Sequence, residues 1–130
     1  MSKIAFDCKG TLLGNALCRK LLEDLYKRGH DITIWSSLGS YTIDAREMFP
    51  EDWDLQTLLK LTYWDWQDQY NSSPDFEFDY AIDDDMSQTY LAARKLINVR
   101  SLCDYDTDES YEAFLKSFDV KPEPINYLER

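Results

Sequence analysis

Three short apolar runs in this 130-residue chain each end in residues able to do chemistry. Ile4, Ala5 and Phe6 lead into Asp7; Ile32, Thr33, Ile34 and Trp35 lead into Ser36; Tyr80, Ala81 and Ile82 lead into Asp83 and Asp84. A carboxylate so placed can hold a hard cation through oxygen or attack an electrophile, and a hydroxyl can donate to an anionic oxygen. The acids are also bunched. Asp75, Glu77, Asp79, Asp83, Asp84 and Asp85 share one stretch, which suits a divalent cation, although a solvated acidic face accounts for most of them. Cys8, next to Asp7, reads as a passenger rather than a nucleophile. Cys8, Cys18 and Cys103 lack CxxC spacing and suggest neither a disulfide framework nor a zinc site. His30, the sole histidine, sits at a helix-to-strand turn and reads as structural.

These residues need elements that bring them together. Lys3 to Asp7 reads as a buried strand entering a tight loop at Lys9-Gly10-Thr11. Asn15 caps a helix from about Ala16 to Arg28, with Leu17, Leu21, Leu22 and Leu25 on one face and Gly29 beyond its end. Asp31 to Trp35 is β-branched and aromatic, and stops at Ser36-Ser37-Leu38-Gly39. Thr42 to Met48 and Asp54 to Thr62 read as helices separated by Pro50. Phe78 to Ile82 reads as a strand, Ser87 to Leu96 as a helix that Asp85 would cap, and Ile97 to Leu102 as a fourth strand. Asp106 with Glu109 resembles a capping box for a last helix that places Tyr111, Phe114, Leu115 and Phe118 on one face. Residues 119–130 read as an extended tail.

Alternating strands and helices imply a three-layer α/β/α, Rossmann-like parallel sheet with right-handed crossovers. Ligands of such sheets bind beyond the carboxyl ends of the strands, near the topological switch point, so Asp7, Ser36 and Asp83-Asp84 are expected to converge. The length fits one domain over residues 1–130. The net charge of -11 disfavours nucleic acid and anionic membrane as partners. The absence of a long apolar run or signal-like start leads to the expectation of a cytoplasmic protein.

Ile4-Ala5-Phe6-Asp7-Cys8-Lys9-Gly10-Thr11-Leu12 resembles the first motif of the haloacid dehalogenase (HAD) superfamily, an apolar strand followed by Asp-x-Asp-Gly-Thr-Leu. Gly29 to Ser36 is similar to its second motif, an apolar strand ending in Ser or Thr, and Tyr80-Ala81-Ile82-Asp83-Asp84 to its fourth. The third motif is a single lysine, for which Lys60, the only lysine between Lys27 and Lys95, is the candidate; a solvated helix face beside Leu58, Leu59 and Leu61 is the alternative. The intervals between motifs are too short for a separate cap domain.

The resemblance implies a magnesium-dependent phosphohydrolase acting on a small phosphorylated molecule through an aspartyl-phosphate on Asp7. It also implies Mg2+ ligands in Asp7, Asp84 and the main-chain carbonyl of Lys9, with Asp83 holding a metal-bound water or orienting its neighbour. Ser36 would donate to phosphate, with Ser37 as substitute, and Lys60 would neutralise the transferring group and Asp7. Backbone N–H groups around Lys9 and Gly10 would add donors. Tyr63, Trp64, Trp66 and Tyr70 read as core more readily than as a substrate platform.

One position departs from the pattern. Lys9 stands where the family's phosphatases carry a second aspartate, which protonates the leaving group and then activates water. A lysine does this only if its pKa falls from about 10.4 toward neutrality, which neighbouring carboxylates oppose. The expectation is therefore a weak or specialised enzyme. The alternative is a catalytically silent phosphate-binding or regulatory module in which the Lys9 ammonium pairs with Asp7 and blunts it.

Overall fold

A computed structural model describes residues 1–60, 78–84 and 93–123. The apolar run at the start forms β1 (Lys3–Phe6), and Asn15 caps α1 (Ala16–Lys27) by accepting the Cys18 N–H. β2 (Asp31–Ser36) and α2 (Gly39–Arg46) follow, then β3 (Gln56–Leu59), β4 (Phe78–Asp83) and β5 (Ala93–Asn98). A 3-10 turn over Val99–Asp104 leads to α3 (Asp108–Ser117).

Among the described residues the sheet has five strands in the order β3-β2-β1-β4-β5, and every pairing is parallel. Parallel strands need crossover connections, and alternation sorts their side chains to two faces. Ile4, Phe6, Ile32, Ile34, Tyr80 and Ile82 pack with Leu21, Leu22 and Leu25 of α1, Ala45 of α2, and Phe114 and Leu115 of α3. Each large aliphatic or aromatic side chain of this set contributes about 1.5–3 kcal/mol on burial. The other face holds a smaller cluster of Ala5, Trp35, Phe78, Ala81 and Ala93. The β3–β4 and β4–β5 connections, which would supply a helical layer over that second face, lie outside the described residues. So do the aromatic group Tyr63, Trp64, Trp66 and Tyr70, the place where a cap would be inserted, and Asp85.

Several sequence expectations are corrected. The helix expected over Asp54 to Thr62 is strand β3, whose Leu58 and Leu59 are 38% and 56% exposed. An edge strand with exposed leucines lacks the alternation that marks a strand, and Leu55, Leu58 and Leu59 fall at helical spacing; parallel pairing to β2 decides the outcome. The helix expected to reach Leu96 gives way to β5, which pairs Ala93 to Asn98 with β4 despite a helix-favouring Ala-Arg-Lys-Leu run. Val99 to Leu102, expected as strand, is the 3-10 turn. Helix α2 starts at Gly39 rather than Thr42, and the α3 capping box is Thr107 with Ser110, one residue past the expected pair.

The amino ends of the strands are tied to the end of α3 and the residues just after it. The Ser2 hydroxyl donates to the Phe118 carbonyl, and the Tyr80 hydroxyl to Ser117 and Val120 carbonyls. His30 Nδ1 accepts the Ser2 N–H at 3.2 Å, and its Nε2 lies 3.2 Å from Asp119 Oδ1. His30 is structural, as expected. Burial holds its pKa below the usual value, with Asp119 working against that shift. A depressed native pKa gives stability that is full above the unfolded value of about 6.5 and is lost as pH falls through the native one. Stability measured by urea denaturation should therefore drop between pH 7 and 5, and less steeply in His30→Asn. Equal slopes in the two proteins would remove this role.

Candidate active site

Strand order places the site. The chain runs from β1 outward to β2 and β3, then returns to the far side of β1 with β4, so the topological switch point lies between β1 and β4. Asp7 follows the last residue of β1, and its N–H donates to Ile82 O of β4 at 3.0 Å. Asp83 closes β4, fully buried, with Asp84 next to it in the chain. Asp7, Asp83 and Asp84 each offer a carboxylate oxygen, and these oxygens lie within 4.8 Å of one another.

Lys60 completes the cluster. Its N–H donates to Ser36 O at 2.9 Å, seating it just past β3, and its side chain reaches across the strand ends. The ammonium lies 2.7 Å from Asp7 Oδ1 and 2.8 Å from Asp83 Oδ2, and 5.5 Å from the centre of the Trp35 ring. The alternative of a solvated helix face for Lys60 does not hold. Burial pushes the Asp7 carboxyl up, and Lys60 only partly offsets this. Burial also pulls on the Lys60 ammonium, but Asp83 and Asp7 outweigh it and its pKa is raised, so the cation stays charged.

The loop after β1 is a compact backbone structure. Leu12 N–H donates to Asp7 O, Thr11 and Leu13 N–H to Cys8 O, and Gly10 N–H to Leu13 O. The Gly10 N–H is therefore committed within the loop, which corrects the expectation that it is a phosphate donor. The Lys9 carbonyl takes no part in this backbone pattern among the described residues. Gly10 has φ +77°, and a Cβ there would stand 2.9 Å from Asp84 Cγ, so only glycine lets the loop close on that carboxylate.

Thr11, missed by sequence reasoning, donates its hydroxyl to Asp7 Oδ2 at 3.2 Å. Its place four residues after Asp7 in a Gly-containing loop was the available signal. Ser36 is buried beside the cluster's lysine. Its Oγ accepts the Leu38 N–H at 3.3 Å, while its own O–H is taken by no described residue. Cys8 is unsuited to nucleophilic work: its thiol faces Trp35 O, and burial together with Asp7 pushes its pKa up to about 12.

Lys9 does not make the ion pair with Asp7 that the alternative, silent-module reading invoked. Its side chain is exposed, with Nζ 6.0 Å from the centre of the Tyr41 ring on α2, and it pairs with no described carboxylate. The cation on Asp7 is Lys60 instead. Asp79, counted with the acidic stretch, stays away from the cluster. It accepts the Lys3 N–H at 2.9 Å and lies 3.5 Å from Arg94 Nε and 3.8 Å from Lys121 Nζ.

The donors present fit a hard divalent cation: the carboxylate oxygens of Asp7, Asp83 and Asp84 lie close together. No family model, curated protein or solved structure matches the chain. No helix of the described residues is long and apolar enough to cross a membrane.

Proposed function

We propose that this chain is a capless, HAD-like, magnesium-dependent phosphohydrolase that works through an aspartyl-phosphate on Asp7. The observation that carries this reading is the Lys60 ammonium set between Asp7 and Asp83 at the switch point of a parallel sheet, with Asp84 at the same place. A structural carboxylate is served by one counter-charge. Here two buried carboxylates share Lys60 and the exposed Asp84 offers a third oxygen within 4.8 Å, a set of donors that suits a divalent cation with a bound phosphate.

Asp7, Asp84 and the Lys9 carbonyl would hold the Mg2+, which when bound screens the charge between Asp7 and the incoming phosphate. The chain's own groups do the rest. Thr11 and Lys60 fix the two oxygens of Asp7, which holds the carboxylate in one orientation for attack. Lys60 and the Ser36 hydroxyl face the charge that builds on the phosphoryl oxygens.

The silent binding module loses its main physical support, since Lys9 does not pair with Asp7. What separates the two readings is turnover. Purified protein with Mg2+ and p-nitrophenyl phosphate should release nitrophenolate, and Asp7→Asn should abolish it while keeping the fold by circular dichroism. Binding of phosphate without Asp7-dependent turnover of any phosphate ester or anhydride would establish the silent module instead.

A further inference from the structure

A lysine side chain is a compact charge on a flexible four-carbon stem, so the site has to hold the Lys60 ammonium in place. In the resting protein Asp7 Oδ1 and Asp83 Oδ2 do so, at 2.7 and 2.8 Å. That hold changes during the reaction proposed above. When an Asp7 oxygen forms its bond to phosphorus and the bond to the leaving oxygen breaks, the Asp7 carboxylate becomes an acyl phosphate and its own charge is gone. Its attraction for the ammonium falls with that charge, at a stage when the phosphoryl oxygens still need the cation.

The face of an aromatic ring is a partner that the reaction does not alter. Lys60 Nζ lies over the Trp35 ring, 5.5 Å from its centre, which is within the range of a cation–π contact. The ammonium is 9% exposed, and such a contact strengthens where water is kept out. Trp35 is itself held in place. It is fully buried in β2, packs with Ala5, Phe78, Ala81 and Ala93, and meets the Phe78 ring edge-on with centres 4.9 Å apart. The main chain around it is tied to the site as well. Trp35 O accepts the thiol of Cys8, the residue after Asp7, at 3.4 Å, and Ser36 O accepts the Lys60 N–H at 2.9 Å.

Resting on the function proposed above, we propose that Trp35 is the positioning residue for Lys60, its ring face holding the ammonium at the strand ends through both steps of phosphoryl transfer. Trp35 acts through Lys60 and moves no proton. Loss of the ring face should therefore show in kcat more than in KM, since the hold matters most once Asp7 has reacted.

The test replaces Trp35 by tryptophan carrying one, two or three fluorines on its six-membered ring. Fluorine draws electron density from the ring face while nearly keeping its shape, so packing stays and the cation–π contact weakens. With Mg2+ and p-nitrophenyl phosphate, kcat should fall stepwise with the number of fluorines, by about 10-fold over the series, while KM changes less than about threefold. Trp35→Leu should lower kcat by about 10–30-fold, and Trp35→Phe, which keeps a ring face, by less. In the metal-free protein the fluorines should lower the urea midpoint of the parent and leave that of Lys60→Met unmoved. A kcat indifferent to the fluorines would overturn the proposal while leaving the phosphohydrolase intact, even where Trp35→Leu fails to fold. So would equal fluorine effects on the urea midpoints of the parent and Lys60→Met, which would make the ring a packing element only. Absence of Asp7-dependent turnover in the parent would remove the phosphohydrolase itself, and the proposal with it.

Discussion

Lys60→Met is expected to lower the stability of the metal-free protein by about 3–5 kcal/mol, the cost of removing one partner from a buried charge cluster. The ammonium is 9% exposed, and the two carboxylates it touches are 9% and 1% exposed, so solvent screens little of the loss. Methionine keeps the length of the stem, which isolates the charge. Millimolar Mg2+ should return a large part of the loss, because a cation in the cluster binds only the native state; at about a hundredfold excess over Kd the gain is about 2.7 kcal/mol. Urea denaturation with and without Mg2+ reads both effects. A variant as stable as the parent would mean that the ion pairs contribute nothing. A destabilised variant that Mg2+ leaves untouched would place the cation away from Asp7 and Asp83.

Lys9→Asp should raise Mg2+-dependent turnover of a simple aryl phosphate by about 10²–10⁴, the span that one general acid/base group provides. The side chain is exposed and pairs with no described carboxylate, so the exchange disturbs no packing. Under the proposed mechanism the restored carboxylate would protonate the leaving oxygen and then activate the water that frees Asp7. Under the same mechanism the second step would be the slower one in the parent for acidic leaving groups. A burst of nitrophenolate matching the enzyme concentration, followed by slow release, should therefore appear in the parent and vanish in Lys9→Asp. If the folded, Mg2+-binding variant turns over no faster than Asp7→Asn, the missing aspartate is not what limits this protein.

How much of this was legible in the residues follows from which forces set each element. β1, β2 and β4 were readable because strands buried on both faces show as continuous apolar runs, and each run stopped at a residue that cannot be buried unpaired. Asp7, Ser36 and Asp83 follow from those stops. β3 and β5 were not readable, since both are edge strands that bury fewer side chains and take their conformation from hydrogen bonds to a neighbour distant in the chain. Misreading β3 made Lys60 uncertain: on a helix it has no reason to face the site, whereas just past β3 it lies along the row of strand ends. The orientation of Lys9 was out of reach for a different reason. Its aromatic neighbour Tyr41 comes from a helix that sequence spacing started too late.

The central position of β1 also bears on how the chain is made. A nascent chain that has emerged as far as Lys60 holds β1, β2 and β3 with α1 and α2, enough to close Asp7 on Lys60. One flank of β1 then has no partner until β4 leaves the ribosome, and an open strand edge invites pairing with another molecule. The carboxylates of Asp83 and Asp84 join Asp7 only when β4 docks, so the carboxylate cluster assembles after the half-sheet that anchors it. Contacts of such long sequence separation slow folding, and here the slow contact is the one that completes the carboxylate cluster.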